Sequence, residues 1–196
     1  MRISICTPTH NIPEKDFFLK RIEQSLKDQT FGDFEWIVTE QGKMAENTNA
    51  AMKLAKGDIV KILYMDDCLA HKDSLLNISN AWKGGWLVTG CDHQTNDGAK
   101  LTYHKPVFDL ARLRAGLNSI GSPSVLAMGA DHLWFDEKLS WMLDCELYVR
   151  LYEKFGEPTM LDEANVTIGI GEHQMTHKLT DAEKLNEHNY HLSKHA

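Results

Sequence analysis

An α/β architecture is the prediction, and three observations carry it. Short apolar segments at 3–6, 34–39 and 59–64 alternate with stretches of helical periodicity, the pattern of a chain that lays strands side by side and crosses between them through helices. The third segment, Ile59-Val60-Lys61-Ile62-Leu63-Tyr64, is apolar almost throughout, as a central strand covered on both faces requires. Each segment ends in polar residues, and in an open α/β sheet ligands bind at the carboxyl ends of the strands. The sheet is therefore expected to be mostly parallel, with helices on both faces.

The elements follow in order. Ile3-Ser4-Ile5-Cys6 is a strand that runs into the turn formers Thr7-Pro8-Thr9-His10-Asn11, so a loop follows it. Phe18, Ile22 and Leu26 lie four apart within 14–29, the spacing of one helical face. Phe34–Thr39 is the second strand, and a helix over 45–56 precedes Gly57, which is expected to end it in a left-handed conformation. The third strand stops at Met65-Asp66-Asp67. Leu75, Ile78 and Trp82 form the stripe of a helix over 73–83, Gly84-Gly85 stop it, and a strand follows over 86–91. Beyond this the alternation weakens: a short helix over 106–114, a loop at Gly121-Ser122-Pro123-Ser124, and a short strand at 125–128. Leu143, Leu147 and Leu151 define a helix over 141–155. After 159 one or two short strands precede a polar, His-rich tail.

Composition bounds the function. The 196 residues are 42% hydrophobic and 25% charged, which excludes disorder as the main state and needs no disulfide or metal to build a core. A net charge of −7 argues against nucleic acid or an anionic lipid surface as partner. No run of about 18 apolar residues is present, and the opening residues lack the pattern of a secretory signal, so a soluble, cytoplasmic protein without stable membrane insertion is expected. Cys6, Cys68, Cys91 and Cys145 are scattered in apolar segments, as buried reduced thiols are.

Asp66 and Asp67 carry the first chemistry. Adjacent carboxylates after a buried strand raise each other's pKa, and a divalent cation, filled out by water and substrate phosphates, is a common solution. The same pair would also serve as a turn, or cap the helix that begins near Asp73.

Here the chain resembles a known family. Ile3-Ser4-Ile5-Cys6-Thr7-Pro8-Thr9-His10-Asn11 is similar to the opening strand and loop of the family 2 inverting glycosyltransferases. Glu35-Trp36-Ile37-Val38 resembles their second strand, and Asn49 followed by Ala55-Lys56-Gly57-Asp58 resembles the stretch before their metal strand. Leu63-Tyr64-Met65-Asp66-Asp67 resembles the DxD-type motif, with Tyr64 where the first acid usually stands. Gly121-Ser122-Pro123-Ser124 is similar to an acceptor-side loop. Trp141-Met142-Leu143-Asp144-Cys145-Glu146-Leu147 is similar to the helix of the ED motif, with Leu143 in place of the usual Glu. The matches occur in the family's order over roughly 3–178.

The resemblance implies a single GT-A domain over 1–196, with a Rossmann-like nucleotide-sugar-binding half at 1–100 and an acceptor-binding half and tail at 101–196. The backbone of Thr7, Pro8 and Thr9, with Glu40, would hold the base, typically uracil; Asn49 would line the donor site and Asp66 would take the ribose. Asp67 would bind Mn²⁺ or Mg²⁺ at the diphosphate, and His173 would complete that metal site. Asp144 would be the general base that deprotonates an acceptor hydroxyl during an inverting transfer from a UDP-sugar. The acceptor is a glycan or another hydroxyl compound.

Other residues have ordinary readings beside functional ones. Lys178 would offset phosphate charge, whereas His177, His188, His191 and His195 read as surface histidines. Glu146 and Arg150 make an i,i+4 pair on another side of the helix from Asp144. Two further functions stay open: a nucleotide- or glycan-binding protein of the same fold without turnover, and a sugar-phosphate nucleotidyltransferase. The latter class carries a Gly-rich basic loop after the first strand, and Thr7–Asn11 has neither Gly nor Lys.

Overall fold

A computed structural model describes residues 1–195. The first strand β1 (Ile3–Pro8) is followed by helix α1 (Lys15–Lys27), β2 (Phe34–Thr39), α2 (Met44–Leu54) and β3 (Ile59–Ile62). β1 pairs in parallel with β2 on one side and β3 on the other, so all three deliver their carboxyl ends to one edge of the sheet. Phe18, Ile22 and Leu26 of α1 are buried as their spacing predicts. Each such side chain contributes about 1.5–3 kcal/mol relative to exposure.

The second half is mixed. After β4 (Cys68–Leu69) and α3 (Ser74–Ala81) come the long β5 (Trp86–Thr95), β6 (Lys100–His104), α4 (Leu110–Arg114) and β7 (Leu126–Gly129). The strand order is β2-β1-β3-β7-β5, and β7 runs antiparallel to both neighbours. The sheet is therefore parallel through its first three strands, as expected, and mixed beyond them, where β5 pairs in parallel with a later strand and the other neighbours are antiparallel. The short β7 enters from a 3₁₀ turn at Pro123–Val125 and not from a crossover helix, which leaves its direction free of the parallel rule. α5 (Leu143–Phe155) leads to β8 (Thr159–Ile170), which pairs in parallel with β5 and antiparallel with β4. α6 (Met175–Lys178) and α7 (Asp181–His195) complete the described chain.

The core spans both halves. Ile3, Ile5, Ile62, Trp86, Leu126 and Leu147 are fully buried, and Trp86 stacks on Tyr148 with ring centroids 5.8 Å apart. All four cysteines are free thiols, three of them buried. Gly57 departs from its expected role, because it does not have a positive φ and α2 ends earlier with an extended Ala55. Its glycine is required by packing: a Cβ there would stand 2.7 Å from the Arg2 carbonyl oxygen and 2.8 Å from Ser4 Oγ of the adjoining β1 strand.

Candidate functional site

A cleft of about 630 Å³ opens at the carboxyl ends of β1 and β3. Its walls include Pro8 at the end of β1 and His10 beyond it, Asp66 and Asp67 after β3, and Asp144 at the start of α5; His173 and Lys178 close it from the segment that follows β8. Residues more than 130 positions apart in sequence thus face one space, at the place where an open α/β sheet binds ligands.

The pairing of β4 with β8 builds the floor. Cys68 lies opposite Thr167, so the two residues before β4 run alongside the end of β8. The Gly169 N–H donates to Asp67 Oδ1 at 2.8 Å. A Cβ at Gly169 would overlap the Asp66 carbonyl oxygen, so only glycine lets the strand pass this close. Asp67 is buried, and burial, then the neighbouring Asp66, push its carboxyl well above the usual carboxylate range, opposed by hydrogen bonds from Ser124 and Gly169.

His173 Nε2 meets Asp66 Oδ2 at 2.9 Å, and its ring packs against Phe18 at 4.9 Å between centroids. The imidazole thus engages Asp66 and not Asp67, the carboxylate with which it was expected to share a metal. Among the described residues no three His, Cys, Asp or Glu side chains group closely enough to hold a metal by themselves. The donor set nonetheless fits a hard cation carried by phosphates: one or two carboxylate oxygens come from the protein and the rest from substrate and water. A dication beside Asp67 would also relieve the burial and repulsion that now favour its proton.

Asp144 also lines the cleft, half-buried, as the second residue of α5. Its carboxylate accepts hydrogen bonds from Asn118 Nδ2 and from Cys145 N, each at 2.7 Å. Burial pushes its pKa up to about 6 against these two bonds, so it ionises within the range useful to a base near neutral pH.

Four expected donor residues do not line the cleft. Asn49 is buried and its amide clamps a distant loop, donating to Phe135 O at 3.0 Å and accepting from Phe135 N at 2.9 Å, an internal pairing away from the cleft lining. Thr7 Oγ1 accepts from Trp36 Nε1 at 3.0 Å. Thr9 is bonded on every side: its N–H and hydroxyl donate to Thr39 O, and its carbonyl accepts from Asn47 Nδ2. Glu40 is exposed at the end of β2 and forms an ion pair with Lys15, so contact with a base would require it to leave that lysine. Pro8 remains at the wall.

The tail departs from its reading as surface. His191 is fully buried, with Nε2 2.8 Å from Leu113 O, and His195 is buried beside it. Glu146 and Arg150 form the expected pair at 2.6 and 2.8 Å, but Glu146 is fully buried and Lys194 of α7 joins it. Residues that sequence reasoning passed over include Gly169, Lys43 of the cleft rim, and the fully buried Lys61.

No protein-family model matches the chain, and no curated protein matches its sequence. Solved structures do. S. aureus TarS 1–349 in complex with UDP-GlcNAc superposes with a TM-score of 0.74 at 17% identity, over 100% of this chain and 66% of that one. The same protein in complex with UDP gives 0.65 at 17% identity, over 88% and 61%. Mannosyltransferase PcManGT from Pyrobaculum calidifontis, in complex with GDP-Man and Mn²⁺, gives 0.63 at 12% identity, over 98% and 63%. The chain has a GT-A fold. It spans less than two thirds of the length of each of these GT-A proteins.

Proposed function

We propose that the chain is a glycosyltransferase that moves a sugar from a nucleoside-diphosphate sugar, a UDP-sugar first, to a hydroxyl acceptor with inversion at the anomeric carbon. One observation carries the reading: Asp66 and Asp67 share a single cleft with Asp144. Residues 1–100 supply the main donor side, joined by Gly169, His173 and Lys178, and the other later residues supply the acceptor side. The solved structures of similar fold were obtained with UDP, UDP-GlcNAc and GDP-Man, which supports a nucleotide-sugar donor.

The donor's nucleoside lies against the Pro8–His10 end of β1, with the ribose toward Asp66. Asp67 is the residue that would hold Mn²⁺ or Mg²⁺, and the ion, when bound, supplies Lewis-acid stabilisation to the departing diphosphate. His173 orients Asp66 through their 2.9 Å contact, and Lys43 and Lys178 bring positive charge to a cleft otherwise rich in carboxylates. Asp144 takes the proton of the acceptor hydroxyl as that oxygen attacks the face of the sugar opposite the nucleotide. Asn118 and the Cys145 N–H keep the carboxylate aimed while it waits ionised.

A thermal-shift screen of UDP, GDP, TDP and CDP, each with and without Mn²⁺, tests the donor half, because a ligand that binds the native state raises its melting temperature. The expected result is a rise with one nucleotide that requires Mn²⁺ and disappears in Asp67→Ala. A folded protein that shifts with none of them at millimolar concentration would sink the reading. Transfer by the wild type, lost in Asp144→Asn with donor affinity kept, separates an enzyme from a binder.

A further inference from the structure

Three consecutive backbone N–H groups, those of Ser140, Trp141 and Met142, converge on one carboxylate from the far end of the chain. Glu187 Oε1 accepts from Ser140 at 2.9 Å, and its Oε2 accepts from Trp141 at 2.8 Å and from Met142 at 2.9 Å. We infer that Glu187 is a positioning residue: through this backbone it sets Asp144, two residues further on, against the cleft. The inference rests on the reading of Asp144 as the base.

Burial of Leu139, Met142 and Leu143 and the Asn118 bond to Asp144 hold the flanks of this segment, and Glu187 is the acceptor for its backbone N–H groups. α5 begins after Met142 without a side-chain cap of its own, so the turn that leads into it has no local acceptor of the kind that fixes a helix start. A carboxylate in a nest of N–H groups forms charge-assisted bonds, the strong class of hydrogen bond. The segment held in this way is itself cleft wall, because Ser140, Trp141, Leu143 and Asp144 all line it. Glu183, one turn earlier on α7, lines the cleft as well.

α7 in turn is braced beyond Glu187. Tyr190 Oη donates to Asp136 Oδ2 at 2.8 Å, Lys194 Nζ reaches the same oxygen at 2.9 Å, and Lys194 also pairs with the buried Glu146. Those contacts fix the helix on both sides of residues 136–146, so the Glu187 carboxylate arrives at a set place. Its removal leaves three N–H groups pointing at one another, and the backbone before Asp144 must shift. A displacement of about 1 Å in a reacting group costs on the order of 10²-fold in rate.

The test uses Glu187→Ala and Glu187→Gln in the full chain, with three readouts: hydrogen exchange of the segment 138–146, affinity for the nucleoside diphosphate with Mn²⁺, and donor kcat and KM. In Glu187→Ala, exchange at 140–142 should rise and kcat should fall on the order of 10²-fold, while nucleotide affinity and donor KM stay near wild type. Glu187→Gln, which keeps one acceptor oxygen, should lie between and carries the same criteria if the alanine variant does not fold. A kcat close to wild type in a folded variant, or a loss that comes wholly as raised donor KM, would overturn the positioning role. If the wild type shows no transfer, the reading of Asp144 fails separately, and unchanged exchange at 140–142 would then overturn this inference on its own.

Discussion

The imidazole of His173 and the carboxylate of Asp66 meet at 2.9 Å although 107 positions separate them in the chain. The contact ties the segment after β8 to the end of β3, and the Phe18 ring beneath the imidazole gives that segment an apolar seat. In the proposed mechanism, where Asp66 takes the ribose, His173 acts on the nucleotide side through that contact. In His173→Ala, nucleotide affinity should drop by about tenfold, the equivalent of about 1.4 kcal/mol. Binding should still depend on Mn²⁺, and calorimetric titration with UDP at several Mn²⁺ concentrations checks both. Loss of the metal dependence itself would place His173 on the metal instead.

If Asp144 is the base, as proposed, one proton links stability to activity. Its folded pKa is raised to about 6 from the ordinary value of 3.8, so the native state binds more protons than the unfolded state between these limits, and stability falls as pH rises through that window. Asp144→Asn removes the penalty while keeping an oxygen to accept from Asn118 and Cys145. The variant should melt a few degrees higher at pH 7, since about 1 kcal/mol moves a domain of this size by about 2–4 °C, yet show no transfer. In the wild type, kcat/KM should fall on the acid side of about pH 6. Calorimetric melts and a pH–rate profile of the same preparations decide it.

Gly169 carries the close approach of β8 to the aspartate pair. Gly169→Ala places a methyl on the Asp66 carbonyl oxygen, and overpacking against backbone costs about 1–3 kcal/mol. The variant should unfold at lower urea concentration with an unchanged m-value, and it should lose nucleotide affinity because the N–H that binds Asp67 moves with the strand. Nucleotide affinity equal to wild type would mean that the floor yields elsewhere.

Local pattern carried much of this fold, and tertiary neighbours decided the rest. β2 falls on the predicted residues, and α1, α3 and α5 lie within their predicted spans, because a buried stripe or an apolar run is written in local spacing. α7 was not read as a helix: its charged and amide side chains hide a buried side made of His191 and His195, so no apolar period marks it. β6 pairs on the edge of β5 with Leu101 and Tyr103 exposed on one face, an alternation too short to mark a strand. Asp66, Asp67, Asp144 and His173 meet in the cleft, their position at element ends being visible beforehand. Asn49 looked equally polar, but its partner at Phe135 lies 86 positions away, and no local rule reports that. Lys61 passed as an ordinary strand residue, though its amine lies wholly inside the protein.

That amine supports the last prediction. Lys61 Nζ donates to Ile62 O at 2.9 Å and to Ser124 O, in the turn whose hydroxyl receives Tyr64 N at 2.8 Å and also bonds the Asp67 carboxyl. Burial lowers its pKa from 10.5 to about 7, opposed chiefly by the neighbouring Asp67. Between those values the unfolded chain binds a proton that the native state does not, so stability should rise with pH from about 7 toward 10.5, by at most about 1.4 kcal/mol per unit from this group. Lys61→Met keeps the stem and removes the proton. Urea unfolding at pH 7, 8 and 9 should then give a wild-type midpoint that climbs relative to that of the variant, and parallel midpoints across the series would mean that the buried amine keeps its charge.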